Sequence, residues 1–282
     1  MKQFTGIGQT FEHLRKSAES GLSIGFVPTM GALHDGHLNL IRRSKQENDL
    51  TVCSIFVNPI QFNNKEDLAK YPRTLERDSL LLEELGCDIV FVPEADEMYP
   101  ESEPVDLNLD FGMLDKVMEG KFRPGHFNGV AIVVKKLFDI VQPTRAYFGK
   151  KDFQQLAVIK YLVKTLNLPV EIVPCETVRD PDGLAMSSRN TRLSASDRNL
   201  APGIYKVLQK VRMEAGNISV NELLTWAVRK IEEHPGFRVE YLEIADNETL
   251  MPVENWDNLA RDVAFVAVFV GDVRLIDNIE LF

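Results

Sequence analysis

The feature of this sequence that most constrains its fold is the regular alternation of short apolar segments with helical patterns over residues 23–174. Each apolar segment has the length and the β-branched or aromatic content of a buried strand. We predict strands at 23–29, 51–57, 88–92, 145–149 and 170–174, and helices from 37 onward and at 74–86, 130–141 and 152–167. Strands that are apolar on both faces and separated by helices form a parallel sheet covered on both sides. The sequence therefore predicts an α/β fold with a Rossmann-like, doubly wound parallel sheet.

The pattern changes near residue 178, where helical patterns are followed by strands instead of alternating with them. Helical spacing covers 196–215 and 219–234, and strands are predicted near 238–245, 263–270 and 273–276. The segment VAFVAVFV at 263–270 is long and β-branched enough for a central strand. We therefore predict two domains, residues 1–177 and a smaller α+β domain at 178–282 that closes over the first as a lid.

The charge balance excludes several classes of function. Among the 282 residues, 32 Lys and Arg against 42 Asp and Glu give a formal charge of −10. Sequence-independent binding to nucleic acid or to an anionic membrane needs an excess of positive charge, so both are disfavoured. The amino terminus lacks the apolar core of a secretory signal, and no segment approaches the ~20 apolar residues of a membrane span. The three cysteines show no CxxC spacing, which disfavours disulfides and zinc. We expect a cytoplasmic protein without nucleic-acid or membrane partners.

A candidate anion site follows the first predicted strand. Ligands of doubly wound sheets bind at the carboxyl ends of the strands, and PTMGALHDGH at 28–37 leaves such an end and opens a helix. Its glycines allow backbone amides to approach a ligand, and a helix amino terminus favours anions. His34 and His37 are spaced to donate hydrogen bonds to phosphate oxygens. The structural alternative is a turn capped by two histidines, and a metal site is least favoured because no third ligand is near.

Polar residues follow the next predicted strand in FVNPIQF at 56–62. Asn58 and Gln61 offer neutral donors and acceptors beside an apolar ring, which suits a small polar substrate with an alkyl body. Structural capping of a loop that begins with Asn-Pro is the alternative.

Two further segments carry positive charge. In GKKDFQQ at 149–155, a lysine at the end of a strand can reach a triphosphate. The alternatives are that Asp152 only caps the helix and that the two lysines form a solvated face. In GLAMSSRN at 183–190, two hydroxyls and a guanidinium form a candidate anion clamp, with a flexible linker as the alternative.

Together these segments carry a resemblance. PTMGALHDGH resembles the HxGH signature of the nucleotidyltransferase superfamily related to class I aminoacyl-tRNA synthetases, and MSSRN resembles a variant of its mobile KMSKS loop. The full set, with FVNPIQF, HFNGV at 126–130, FGKKDFQQ and GLAMSSRN, is similar to the pantoate–β-alanine ligase (pantothenate synthetase) family. The resemblance covers nearly the whole chain and is densest in the first 190 residues.

The resemblance implies an ATP-dependent, two-step reaction in which pantoate becomes a pantoyl adenylate with release of pyrophosphate. β-Alanine then displaces AMP and gives pantothenate. The catalytic residues it implies are His37, His34, Lys151 and Arg189, with His37 as the proton donor. The implied ATP-binding residues are Met30, Gly31, Ala32, Leu33, His34, Asp35, Gly36, His37, Gly149, Lys150, Lys151, Asp152, Val178, Met186, Ser187, Ser188 and Arg189. Gln61, Gln155 and Asn58 are the implied pantoate-binding residues, and Gln61 also meets β-alanine.

The resemblance further implies Mg²⁺ without protein side-chain ligands and a homodimer, and we expect residues 60–72 to act as a gate over the adenylate. Two other functions remain open on the residues alone. A nucleotidyltransferase that stops after joining a nucleotide to its substrate would share the histidine motif and the phosphate clamp. A non-catalytic nucleotide-binding module would explain the glycines and the strand-end turns, because fold does not imply function.

Overall fold

A parallel sheet forms the centre of the computed structural model, which describes residues 1–63, 65–102, 105–107 and 109–282. Its six strands lie in the order β1-β4-β3-β2-β5-β6, and every pair of neighbours is parallel. The strands are β1 (Lys2–Phe4), β2 (Ile24–Thr29), β3 (Leu50–Ile55), β4 (Ile89–Phe91), β5 (Arg145–Gly149) and β6 (Glu171–Cys175). The chain moves from β2 outward through β3 and β4, then returns to place β5 on the other side of β2. The gap between β2 and β5 is therefore a topological switch point, where ligands of such folds bind.

Helices cover both faces of this sheet. They are α1 (Ile7–Glu19), α2 (Asp35–Glu47), α3 (Lys65–Lys70), α4 (Leu75–Glu84), α5 (Ala95–Met98), α6 (Met118–Phe122), α7 (His126–Val141) and α8 (Phe153–Thr165). Helix α7 is buried along most of its length and packs in the larger core with α8. Helices α2 and α4 enclose a second core on the opposite face. Burial on both faces explains why the strands are nearly continuous apolar runs.

The remaining residues form a smaller α+β unit with a three-stranded antiparallel sheet, ordered β7-β8-β9. Its elements are α9 (Ala195–Leu200), α10 (Gly203–Glu214), α11 (Val220–Glu232), β7 (Phe237–Asp246), β8 (Asp262–Val270) and β9 (Val273–Glu280). Alternate residues of β8 belong to different cores: Val263 and Phe265 pack with the first domain, and Ala264 and Val266 pack with α10 and α11. The predicted fold class and the central position of this strand are confirmed.

The structure differs from the predicted elements in several places. Strand β1 and helix α1 were not predicted, and helix α7 begins at His126 instead of residue 130. The single helix predicted over 196–215 is wrong: α9 and α10 are separate because Pro202, which lacks a backbone N–H, lies between them. Strand β9 continues to Glu280, beyond the predicted end at 276. Within the described residues, no helix combines the length and apolar character that a membrane crossing requires.

Polar contacts join the two units beside the switch point. The side-chain amide of Asn278 on β9 donates to the carbonyl oxygens of Lys150 and Lys151, both at 2.9 Å. The ammonium of Lys150, directly after β5, forms an ion pair of 3.1 Å with the carboxylate of Glu280 on β9. These contacts hold the antiparallel sheet against the end of β5, so the smaller unit forms one wall of the crevice at the switch point.

Candidate functional site

Two adjoining cavities open at the carboxyl ends of β2 and β5. The inner cavity has a volume of about 230 Å³ and is lined by residues of the first domain together with the 186–189 segment. The outer cavity, of about 560 Å³, lies between this region and the antiparallel sheet. We call the residues that line both cavities the neck; they are Phe62, Arg123, His126, Lys151, Asp152, Gln155, Ser187 and Arg189.

The loop after β2 is held in an unusual backbone conformation by a carboxylate from α4. Gly31 and Ala32 have φ values of 77° and 50°, in the left-handed region that residues with a side chain rarely adopt. Fully buried Asp78 accepts hydrogen bonds from the backbone N–H groups of Ala32, at 2.8 Å, and Leu33, at 2.9 Å. Thr74 donates a third hydrogen bond, of 3.0 Å, to the same carboxylate. Asp78 therefore fixes the turn from which α2 begins.

The two histidines of this loop cap α2 and also line the inner cavity. The Nδ1 atom of His34 accepts from the backbone N–H of Gly36 at 3.2 Å, and Nδ1 of His37 accepts from the backbone N–H of His34 at 3.3 Å. Because both Nδ1 atoms accept, the hydrogen-bond network assigns the proton of each neutral ring to Nε2. The capping alternative and the functional prediction are thus compatible, since each ring has a donor left for a ligand.

Both histidines are neutral near pH 7. Burial, followed by the charge of Lys151, lowers the pKa of His34 to about 4. Burial, followed by the neighbouring His34 and by Lys151, lowers the pKa of His37 to about 3. The two ring centroids lie 4.1 Å apart. The two rings therefore present neutral N–H donors side by side, and the role of His37 as proton donor stays a prediction.

The two lysines after β5 have different surroundings. The ammonium of Lys151 lines both cavities, 3.6 Å from the Asp152 carboxylate. Asp152 precedes α8, but its side chain makes no capping hydrogen bond to that helix. The helix-cap alternative for Asp152 is therefore wrong. Lys150 instead forms ion pairs with Glu176 at 2.7 Å and Glu280 at 3.1 Å. Of the pair, the Lys151 side chain is the one placed to meet a ligand.

The 187–192 segment reaches both the histidine loop and α3. The Ser188 hydroxyl donates to the carbonyl oxygen of Ala32 at 3.0 Å. Arg189 and Arg192 each contact the carboxylate of Asp67 at 3.1 Å. Burial raises the pKa of Asp67, but the two guanidinium groups outweigh burial and lower it below its ordinary value. Asp67 lies within the predicted gate at 60–72, whose residue 64 is outside the described residues.

The polar residues after β3 form a linked group at the base of the inner cavity. The side-chain amide of buried Asn58 donates to Oε1 of Gln61 at 3.0 Å, and its oxygen accepts from the Tyr99 hydroxyl at 2.8 Å. Nε2 of Gln61 lies 3.0 Å from the sulfur of Met30. A Cβ atom at Gly129 would come within 2.6 Å of the Ile60 carbonyl oxygen, so this glycine of HFNGV permits the close approach of α7. Asn58 orients Gln61.

The structure brings most of the predicted site residues together. Those that line the inner cavity are Met30, His34, Gly36, His37, Asn58, Gln61, Gly149, Lys151, Asp152, Gln155, Val178, Met186, Ser187, Ser188 and Arg189. The cavity linings do not include Gly31, Ala32, Leu33, Asp35 or Lys150. The first three of these shape the loop that carries the histidines, and Asp35 is the first residue of α2.

Sequence reasoning missed several residues of the site. No sequence pattern marks Asp78, Tyr71 or Arg123 as part of the site. His126 appeared within HFNGV as part of the resemblance, but no function was assigned to it. Its Nδ1 atom lies 2.8 Å from the Gln61 carbonyl oxygen, and burial lowers its pKa to about 4. The described residues contain no group of three His, Cys, Asp or Glu side chains arranged to hold a metal ion.

Fold and site together define a doubly wound α/β protein with a crevice at its switch point that is lined by histidine, lysine and arginine side chains. The model of the pantoate-beta-alanine ligase family matches residues 2–280, and the chain belongs to that family. It is 53% identical over 260 residues to the pantothenate synthetase of Bacteroides thetaiotaomicron, covering 92% of each chain. It is 46% identical over 280 residues to the pantothenate synthetase of Porphyromonas gingivalis, covering 99% of each.

Solved structures show the same similarity. The crystal structure of pantothenate synthetase from Thermus thermophilus matches with a TM-score of 0.93 and 45% identity, covering 100% of both chains. Pantoate-beta-alanine ligase from Francisella tularensis, complexed with beta-gamma ATP and beta-alanine, matches with a TM-score of 0.83 and 37% identity. That comparison covers 100% of this chain and 98% of the Francisella chain.

Proposed function

We propose that this protein condenses pantoate with β-alanine to pantothenate, using ATP and forming a pantoyl adenylate. The observation that carries the proposal is the inner cavity, where two histidine N–H donors, a lysine and a Ser-Ser-Arg segment face a pair of glutamines. Groups suited to phosphates and neutral hydrogen-bonding groups thus line one cavity, in a chain of the pantoate-beta-alanine ligase family. Such a site suits a reaction between a triphosphate and a small hydroxy acid.

In the first step, a carboxylate oxygen of pantoate attacks the α-phosphorus of ATP, and the bond to the bridging oxygen of pyrophosphate breaks. Negative charge develops on the phosphate oxygens, and preorganised donors lower the energy of that state. The Nε2–H groups of His34 and His37 serve as neutral donors, while Lys151 and Arg189 supply positive charge. Ser187 adds a hydroxyl donor, and Ser188 holds this segment against the histidine loop through its hydrogen bond to Ala32. Because the reactants are bound side by side, positioning contributes much of the acceleration.

The adenosine part of ATP is assigned to Met30, Gly149, Asp152, Val178 and Met186, which share the inner cavity. Lys150 lines neither cavity, and its ammonium is bound to two glutamates, so we assign it no part in this pocket. Gln61 and Gln155 are assigned to pantoate, with Asn58 holding Gln61 in place.

In the second step, the amine of β-alanine attacks the acyl carbon of the adenylate, the bond to the phosphate oxygen breaks, and AMP leaves. The amine loses a proton to solvent, and pantothenate is formed. The mixed anhydride must be protected from water until the amine arrives. We assign that protection to the smaller domain, residues 178–282, and to the gate at 60–72.

Mg²⁺ fits this site as a companion of the nucleotide. The ATP phosphates would be its main ligands, and the expectation that no protein side chain binds it stays a prediction. Bound there, Mg²⁺ would neutralise charge on the β- and γ-phosphates. The homodimer, the cytoplasmic location and the absence of nucleic-acid and membrane partners stay predictions.

Isotope exchange between pyrophosphate and ATP tests the proposal. We expect exchange that requires pantoate and proceeds without β-alanine, together with AMP release when β-alanine is added. Exchange without pantoate would instead indicate a nucleotidyltransferase with another substrate. ATP binding with no exchange for any acid would indicate a nucleotide-binding module.

A further inference from the structure

Arg123 is the one charged neck residue to which neither the sequence motifs nor the proposed phosphate clamp assigns a role. It lies between α6 and α7 and lines both cavities. Its carbonyl oxygen accepts from the backbone N–H of His126 at 3.0 Å, and the ring of His126 is bonded to the Gln61 backbone. Arg123 is therefore tied to the same loop as Gln61, at the passage through which a second substrate would reach the inner cavity.

The guanidinium of Arg123 has one nearby counter-ion among the described residues, Glu119, and that carboxylate is already bound by Arg274. Within the described residues, its one side-chain hydrogen bond is a long contact of 3.5 Å with Glu119. Glu119 receives two shorter bonds from Arg274, of 3.0 and 2.6 Å, and one of 2.8 Å from the Tyr241 hydroxyl. A guanidinium has five N–H donors, so most of those on Arg123 are left for a ligand.

The surroundings of Arg123 favour an anion. Its side chain is only 24% exposed, and the other cations at this passage are Arg189 and Lys151. Burial lowers the pKa of Arg123, and although Glu119 raises it, the charges of Arg189 and Arg274 lower it further. Among the neck residues, the three cations Arg123, Lys151 and Arg189 face the single carboxylate of Asp152, so a ligand carboxylate would reduce the excess of positive charge there.

We propose that Arg123 binds the carboxylate of the incoming β-alanine and so directs its amine towards Gln61 and the acyl carbon. This assignment rests on the proposed function, which requires an amine substrate that carries a carboxylate. Pantoate is held by neutral glutamines, and the phosphates are held by the histidines, Lys151 and Arg189. The planar donors of arginine match a carboxylate through two parallel hydrogen bonds, which also fixes the direction of the rest of the ligand.

The test compares Arg123→Gln with the unaltered protein in two assays. Pantoate-dependent exchange between pyrophosphate and ATP, measured without β-alanine, reports the first step. Pantoate amide formation, measured with β-alanine or with propylamine, reports the second; propylamine carries a methyl group in place of the carboxylate. Arg192→Gln is the matched control, because Arg192 lines the outer cavity outside the neck.

For Arg123→Gln we expect the KM for β-alanine to rise about 10- to 100-fold, the range for loss of a hydrogen bond to a charged group. We expect near-normal exchange, and a reaction with propylamine that is changed much less. Arg123→Lys should recover part of the loss, because a lysine keeps the charge but not the paired geometry.

Three results would overturn the assignment. A parallel loss of exchange, or a raised KM for pyrophosphate, would place Arg123 in the first step. Equal losses with β-alanine and propylamine would show that the carboxylate is not its ligand. A selective effect of Arg192→Gln on β-alanine would move the subsite to the outer cavity. Absence of pantoate-dependent exchange in the unaltered protein would instead refute the proposed function, and the assignment with it.

Discussion

Replacement of Asp78 by Asn tests how the histidine loop is held. The two carboxylate oxygens of Asp78 accept separately from the N–H groups of Leu33 and Ala32, at 2.9 and 2.8 Å, and the side chain is 0% exposed. An amide of the same shape can accept through only one of its two positions and presents an NH₂ donor at the other. One loop N–H would then be buried against a donor.

The expected cost follows from that count. Loss of one hydrogen bond to a charged acceptor, with one donor left unpaired in the interior, destabilises a protein by about 2–5 kcal/mol. Because His34 and His37 follow the displaced turn, their Nε2 groups would shift relative to the α-phosphate. A misplacement of about 1 Å costs roughly 100-fold in rate. We therefore expect both a lower free energy of unfolding and a loss of about 100-fold in pantoate-dependent exchange.

Urea unfolding and exchange kinetics measure the two effects, with Thr74→Val as the control. That variant removes the third hydrogen bond, of 3.0 Å, but leaves both loop amides paired with Asp78. It should cost about 1 kcal/mol and leave exchange nearly unchanged. If Asp78→Asn were as stable and as active as the unaltered protein, the argument that this carboxylate shapes the loop would be refuted.

Two further predictions follow from the charges around the cavities. The pKa values of His34, His37 and His126 are about 4, about 3 and about 4, whereas the unfolded chain titrates near 6.5, so unfolding takes up protons and stability falls as pH drops below 6.5. Between its folded and unfolded pKa values, each histidine lowers the free energy of unfolding by about 1.4 kcal/mol for each pH unit of acidification. Urea unfolding measures this free energy, and equal values at pH about 7 and about 5 would contradict the prediction. Asp67→Asn should lower the KM for ATP by up to about 5-fold, because its carboxylate occupies Arg189 where a phosphate is proposed to bind; a raised KM would show that Asp67 orders the site instead.

Local patterns were sufficient to predict where most strands of the first domain lie, although β3 ends at Ile55 instead of the predicted residue 57. Strands β2, β3 and β5 are short, apolar and followed by turn-forming residues. Residues that follow parallel strands meet at one edge of the sheet. That rule explains why residues from four separate segments line one cavity. Strand β1 could not be predicted from local patterns, because it has only three residues and depends on pairing with β4, which is distant in the sequence.

The supporting residues of the site could not be predicted in the same way. Asp78 lies on α4 within a charged pattern typical of a solvated face, and only the tertiary fold brings it under the histidine loop. Neighbouring lysines look equivalent in the sequence, yet Lys150 meets Glu280 from the other domain while Lys151 faces the cavities. Arg123 precedes α7, which begins at His126 and not at the predicted residue 130. Nothing in the sequence therefore indicated that Arg123 lies at the neck.

The central claim is that pantoate is activated by attack of its carboxylate on the α-phosphorus of ATP. Pantoate labelled with heavy oxygen in its carboxylate tests this most directly, in a reaction completed with β-alanine and analysed by mass spectrometry. The account predicts one labelled oxygen in the AMP that is released and none in pyrophosphate. Label in inorganic phosphate with formation of ADP, or AMP without label, would contradict it.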